Sequence, residues 1–210
     1  MQKLFSVISF VYLLLVQTLV CADNSAPRIL ILGDSLSAAY NIPIEKSWPE
    51  LFRNNIGASY PQSSVINASI SGETTFGGVQ RLGKLLDKHQ PRHLIIELGG
   101  NDGLRGLNFS QSTDNLQQMI MQAKQQDISV LLIGVRMPPN FGAAYNSRFQ
   151  QIFESVSAQN DIHYLPRFLE GVAASEDRLM QSDGIHPTAE AQPILAEKVF
   201  NAMQRVLENP

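Results

Sequence analysis

Apolar residues fall along this chain in short unbroken runs, separated by longer stretches in which they recur every three or four positions. The short runs are Ile29 to Leu32, Ser64 to Ala68, His93 to Leu98, Ser129 to Val135 and Ile162 to Leu165. They are rich in Ile, Leu and Val and do not alternate. A strand with one wet face alternates and a strand covered on both faces does not, so the runs predict five parallel strands between two helical layers. The longer stretches predict helices over Trp48 to Ile56, Phe76 to His89, Thr113 to Gln126 and Tyr145 to Gln159. Gly57 and Pro91 supply stops for the first two. A last helix places Ile194, Leu195, Val199, Met203, Val206 and Leu207 on one stripe, with Pro193 either opening or kinking it.

Strand, helix, strand, repeated along the chain, implies right-handed crossovers and a three-layer α/β/α, doubly wound, five-stranded parallel sheet of flavodoxin-like type. The expected strand order is 2-1-3-4-5. That order sets strands one and three side by side at the topological switch point, where ligands bind beyond the carboxyl ends of the strands. Ser35 and Asn101 stand just past those ends. From Arg28 onward no repeat, low-complexity tract or linker marks a boundary, and one domain is expected over residues 23–210.

The first 22 residues follow a different rule. Lys3 precedes an apolar run from Leu4 through Val20, followed by Val20-Cys21-Ala22 and the polar Asp23-Asn24-Ser25. This is the pattern of a signal peptide cut after Ala22, and it predicts a periplasmic or secreted protein with no stable membrane anchor. The rival reading is a retained anchor, since the run approaches the roughly 18 residues a spanning helix needs. A lipoprotein at Cys21 would want a small residue in place of Val20. Cys21 is the only cysteine, so residues 23–210 hold no disulfide, thiol nucleophile or cysteine metal site. The formal charge of −3 becomes one unit more negative with the loss of Lys3, and no basic run appears, which argues against nucleic acid as a partner. A monomer is expected.

Four segments carry candidate chemistry. Gly33-Asp34-Ser35-Leu36-Ser37 follows the first strand and exposes a serine hydroxyl at the top of the sheet, where backbone N–H groups can meet a developing negative charge. An ordinary turn capped by Asp34 or Ser35 explains the same residues. In Asp183-Gly184-Ile185-His186-Pro187, Pro187 keeps His186 out of helical geometry, and the three-residue spacing lets the Asp183 carboxylate bond one imidazole nitrogen, leaving the other to accept a proton. A surface turn is again the simpler alternative. Gly72, after the second strand, and Asn101 in Gly99-Gly100-Asn101-Asp102-Gly103, after the third, are oxyanion-hole material or glycine-rich turns.

Together, Gly33-Asp34-Ser35-Leu36-Ser37, Gly72, Gly99-Gly100-Asn101-Asp102 and Asp183-Gly184-Ile185-His186-Pro187 stand in the order and approximate spacing of the four blocks of the SGNH (GDSL) hydrolases. The chain resembles that family from about Arg28 to the last helix. It is most similar to the bacterial periplasmic thioesterase I, lysophospholipase and arylesterase branch, sharing stretches such as Glu97 to Gly106. The resemblance implies a Ser35-His186-Asp183 triad, an oxyanion hole from the Ser35 and Gly72 N–H groups and the Asn101 side chain, and hydrolysis of acyl esters and thioesters through an acyl-enzyme on Ser35.

No metal or cofactor is expected. His89, His93 and His163 lack metal-ligand spacing, and neither a Gly-x-Gly-x-x-Gly after the first strand nor a Walker loop is present. Leu104, Leu107, Phe109, Pro138, Phe141 and Tyr145, with Met137 and Pro139, lie on the loops after strands three and four. They are expected to line a groove for an apolar acyl chain. The alternatives are a carbohydrate acetyl esterase of the same fold, needing a shallow polar groove lined by aromatics, or a periplasmic binding module without catalysis.

Overall fold

The computed structural model describes residues 26–173 and 179–209; the leader expected over residues 1–22 lies outside them. The strands are β1 (Arg28–Gly33), β2 (Ser64–Asn67), β3 (His93–Glu97), β4 (Ser129–Ile133) and β5 (His163–Leu165). All pairings are parallel and the order is β2-β1-β3-β4-β5. In the centre Leu30 pairs with Leu94, and Ile95 with both Ile31 and Leu131, all of them buried. The non-alternating runs therefore have the physical cause inferred for them, helices on both faces. The edge strands differ: β5 is half-buried throughout, and in β2 only Val65 is fully buried, because an edge strand has a neighbour on one side alone.

Helices α1 (Trp48–Ser59) and α6 (Gln192–Glu208) pack together on one face, and α2 (Thr75–His89), α4 (Phe109–Lys124) and α5 (Ala143–Asn160) pack in sequence on the other. A short helix, α3 (Gly100–Leu104), follows β3 where the glycines suggested a plain turn. Pro193 sits in the first turn of α6 and opens it. Two helices exceed their sequence bounds by three or more residues at one end. Helix α1 runs through Gly57, whose backbone nothing crowds. Helix α4 begins four residues before Thr113, capped by the Asn108 side chain, which accepts the Ser110 N–H at 2.8 Å.

The start of α1 ties three segments together. The buried Trp48 donates its indole N–H to the Leu36 carbonyl at 3.0 Å and its backbone N–H to Gln192 Oε1 at 2.9 Å. This fixes the loop after β1 against α1 and α6, and with it the position of Ser35. Within that loop, a Cβ on Gly33 would lie 2.7 Å from Ser37 Oγ and 2.9 Å from Ser69 Oγ, so only glycine allows so tight an exit from the strand.

Candidate active site

Beyond Gly33 the chain makes one helical turn. The Asp34 carbonyl accepts the N–H groups of Ser37 (3.2 Å) and Ala38 (2.9 Å), and Asp34 Oδ1 accepts the Leu36 N–H at 3.0 Å. The turn presents Ser35 above the sheet. The other half of the site comes from the far end of the chain, where an antiparallel bridge between Met180 and Pro187 closes a loop and the Gln181 N–H donates to the His186 carbonyl at 2.7 Å. Gly184, at φ 66°, turns that loop in a conformation few side chains tolerate.

Inside the loop Asp183 Oδ1 accepts the N–H groups of Ile185 (2.9 Å) and His186 (3.0 Å), and Oδ2 lies 2.7 Å from His186 Nδ1. His186 Nε2 is 2.9 Å from Ser35 Oγ. Desolvation acts to raise the Asp183 pKa, but the N–H groups and ring of His186 and the Ile185 N–H outweigh it and hold the carboxyl below its ordinary value. An ionised Asp183 keeps the imidazole proton on Nδ1 and leaves Nε2 as the acceptor for the serine hydroxyl.

Asn101 sits in the first turn of α3 and donates one amide hydrogen to Asp34 Oδ2 at 3.0 Å, which orients the amide; its second hydrogen has no partner among the described residues. Asp102, beside it and buried, accepts from the Thr75 N–H (2.9 Å), Thr75 Oγ1 (2.5 Å) and Ser112 Oγ (3.0 Å), which locks α3 against α2 and α4. Gly72 is held at φ 81°, its carbonyl accepting from the Arg105 guanidinium at 2.9 Å. Among the described residues the N–H groups of Ser35 and Gly72 donate to nothing.

Two buried carboxyls stand behind this turn. Burial, above all, pushes the Asp34 pKa up from its ordinary 3.8 to about 6, against the bonds from Leu36 and Asn101. Glu97, fully buried at the end of β3, is driven well above its ordinary value, first by burial and then by Asp34. Its Oε2 accepts the Ser37 hydroxyl at 2.7 Å.

A cleft of about 650 Å³ runs from Ser35 and Asn101 between walls that include Leu36, Leu104, Val135, Met137, Pro138 and Met180. Helix α5 contributes Asn146, Ser147 and Gln150. Of the eight residues expected to line it, Leu104, Met137, Pro138 and Pro139 do so. Leu107, Phe109, Phe141 and Tyr145 do not. Leu107 points to solvent. The aromatic rings find each other instead, Tyr145 lying 5.0 Å from Phe109 and 5.3 Å from Phe141 between centroids, and Tyr145 donates its hydroxyl to the Gly103 carbonyl at 2.6 Å. They brace the loop after α3 against α5.

The family model described as GDSL-like Lipase/Acylhydrolase family matches residues 31–193. The chain belongs to this family. It is 42% identical over 186 residues to an arylesterase of Vibrio mimicus, covering 89% of this chain and 92% of that protein. It is 40% identical to thioesterase 1/protease 1/lysophospholipase L1 of Escherichia coli K12, covering 88% and 87% of the two. A crystal structure of the psychrotrophic esterase EstA from Pseudoalteromonas sp., inhibited by monoethylphosphonate, superposes with a TM-score of 0.82 at 37% identity, covering 87% of this chain and all of that one. As a GDSL-like acylhydrolase, the protein is a carboxylic ester hydrolase.

Sequence reasoning missed three parts of this GDSL-like site. Tyr40 stacks on His186, a contact with no local signature in sequence. The polar face of α5 was legible only as spacing, Ala143, Asn146, Ser147 and Gln150 at three- and four-residue steps. Leu169 and Met180, from a stretch with no periodic pattern, complete the cleft. Among the described residues no group of three or more His, Cys, Asp or Glu side chains is arranged to hold a metal, and no helix is long and apolar enough to cross a membrane.

Proposed function

We propose that Ser35 is the nucleophile of a two-step acyl transfer, with His186 as general base and then general acid, Asp183 as its orienting carboxylate, and Ser35 N–H, Gly72 N–H and Asn101 as the oxyanion hole. The observation that carries this reading is the unbroken relay from Asp183 Oδ2 through both nitrogens of His186 to Ser35 Oγ, at 2.7 and 2.9 Å, at the mouth of an apolar cleft. As Ser35 Oγ bonds the carbonyl carbon, its proton passes to His186 Nε2 and the carbonyl electron pair moves to the oxygen, facing donors already in place. On collapse the same proton leaves with the alcohol or thiol, and water repeats the sequence to free the acid.

The substrates are acyl esters and thioesters with an apolar acyl chain, in keeping with the names of the arylesterase and thioesterase/lysophospholipase relatives. An aromatic-lined sugar groove is a poor description of this cleft, since none of its described lining residues is aromatic. The leader-like pattern of residues 1–22 supports a periplasmic or secreted location. A fluorophosphonate should label Ser35 and no other residue. Ser35→Ala should keep its fold and retain less than about a thousandth of wild-type turnover, because losing a serine nucleophile costs on the order of 10⁶. Labelling elsewhere, or a higher residue of activity, would remove Ser35 from this role.

A further inference from the structure

The turn that exposes Ser35 also lays an aromatic ring on the histidine. Tyr40 stacks on His186 with centroids 4.2 Å apart and planes inclined by 29°. The residues on either side, Ala39 at φ 59° and Asn41 at φ 54°, are both left-handed, which alanine in particular avoids. Something outside the turn must hold it there. Gln181 does so from the loop of the histidine: its side-chain amide donates at 3.0 Å to the Tyr40 carbonyl and at 3.0 Å to the Pro187 carbonyl, while its backbone N–H donates to the His186 carbonyl. One glutamine thus fastens the turn of the serine to the loop of the histidine. Tyr40 is 39% exposed and is not among the residues that line the cleft, and among the described residues its hydroxyl has no partner. With that exposure, core packing does not account for the ring.

We propose that Tyr40 is a positioning residue for His186, with Gln181 as its latch. This rests on the reading of His186 as the general base. The ring confines the imidazole to the orientation that aims Nε2 at Ser35, and its electron-rich face stabilises the imidazolium formed when the Ser35 proton arrives. Both effects act on proton transfer rather than on substrate binding. They require the ring and not the hydroxyl.

The test is steady-state kinetics on p-nitrophenyl butyrate together with the rate at which a fluorophosphonate modifies Ser35. Tyr40→Ala and the bulk-preserving Tyr40→Leu should each lower kcat roughly tenfold with KM changed less than about twofold. Phosphonylation should slow by the same factor, since it also needs the base. Tyr40→Phe should restore wild-type kcat, and Gln181→Ala should show a smaller loss with the same split. Wild-type kcat in both Tyr40→Ala and Tyr40→Leu, a loss confined to KM, or a Phe variant as slow as the Ala variant would each overturn the proposal. His186→Ala separates the two levels. If it stays active, the base itself is misassigned; if it is inactive while Tyr40→Ala keeps its kcat, only the role of Tyr40 falls.

Discussion

Asn101 spends one amide hydrogen on Asp34 in the resting protein, and in the proposed oxyanion hole the other meets charge that exists only in the transition state. Asn101→Ala should therefore lower kcat by roughly 10²–10³ with little change in KM. A KM effect alone would make Asn101 a substrate-positioning group. Asp34 carries its own testable signature. Its pKa, about 6 folded against 3.8 ordinarily, means that between those values the folded chain holds more protons than the unfolded one, so stability falls as pH rises through the window. In urea unfolding, the stability of Asp34→Asn relative to wild type should improve from about pH 4 to about pH 6 and level off above. A gap independent of pH would mean that Asp34 is not raised. At this scale the pairing of Asp183 with His186 was legible because three-residue spacing and a flanking proline are local constraints, whereas Ser35 was tied to them only by the resemblance of four ordered blocks to the SGNH hydrolases. The partnership of Tyr40 with His186 depends on two distant turns meeting, and Phe109, Phe141 and Tyr145 were misplaced because an apolar loop residue can face a ligand or another ring with equal ease.

The secondary-structure elements were legible where burial imposes a period and blurred where a cap or glycine decides. Helix α4 starts early because Asn108 caps a polar first turn that shows no apolar stripe, and α1 passes through a glycine that composition marks as a stop. Two glycines in helices make opposite predictions. At Gly57 in α1 an added methyl group would meet nothing within 4 Å, so Gly57→Ala should raise stability by about 0.5–1 kcal/mol. Gly78 in α2 is where the helix presses on its neighbours, and a Cβ there would lie 2.5 Å from Leu98 and 2.9 Å from Met119. Gly78→Ala should cost about 1–3 kcal/mol through overpacking. Thermal and urea unfolding of the two variants check the pair, and shifts of the same sign would contradict this packing.

For the molecule as a whole, the cleft predicts selectivity by acyl length. Each buried CH₂ is worth about 0.8 kcal/mol, so kcat/KM on p-nitrophenyl esters should climb from acetate towards octanoate until about 650 Å³ is filled. A peak at acetate would favour the carbohydrate esterase. The relay at the centre of the site also has a consequence for biosynthesis. The hydrogen bond between Ser35 and His186 spans 151 positions of sequence. A nascent polypeptide therefore presents the proposed nucleophile long before its proposed base, and until residue 186 has been added the relay cannot form and the chain should be inert towards acyl esters.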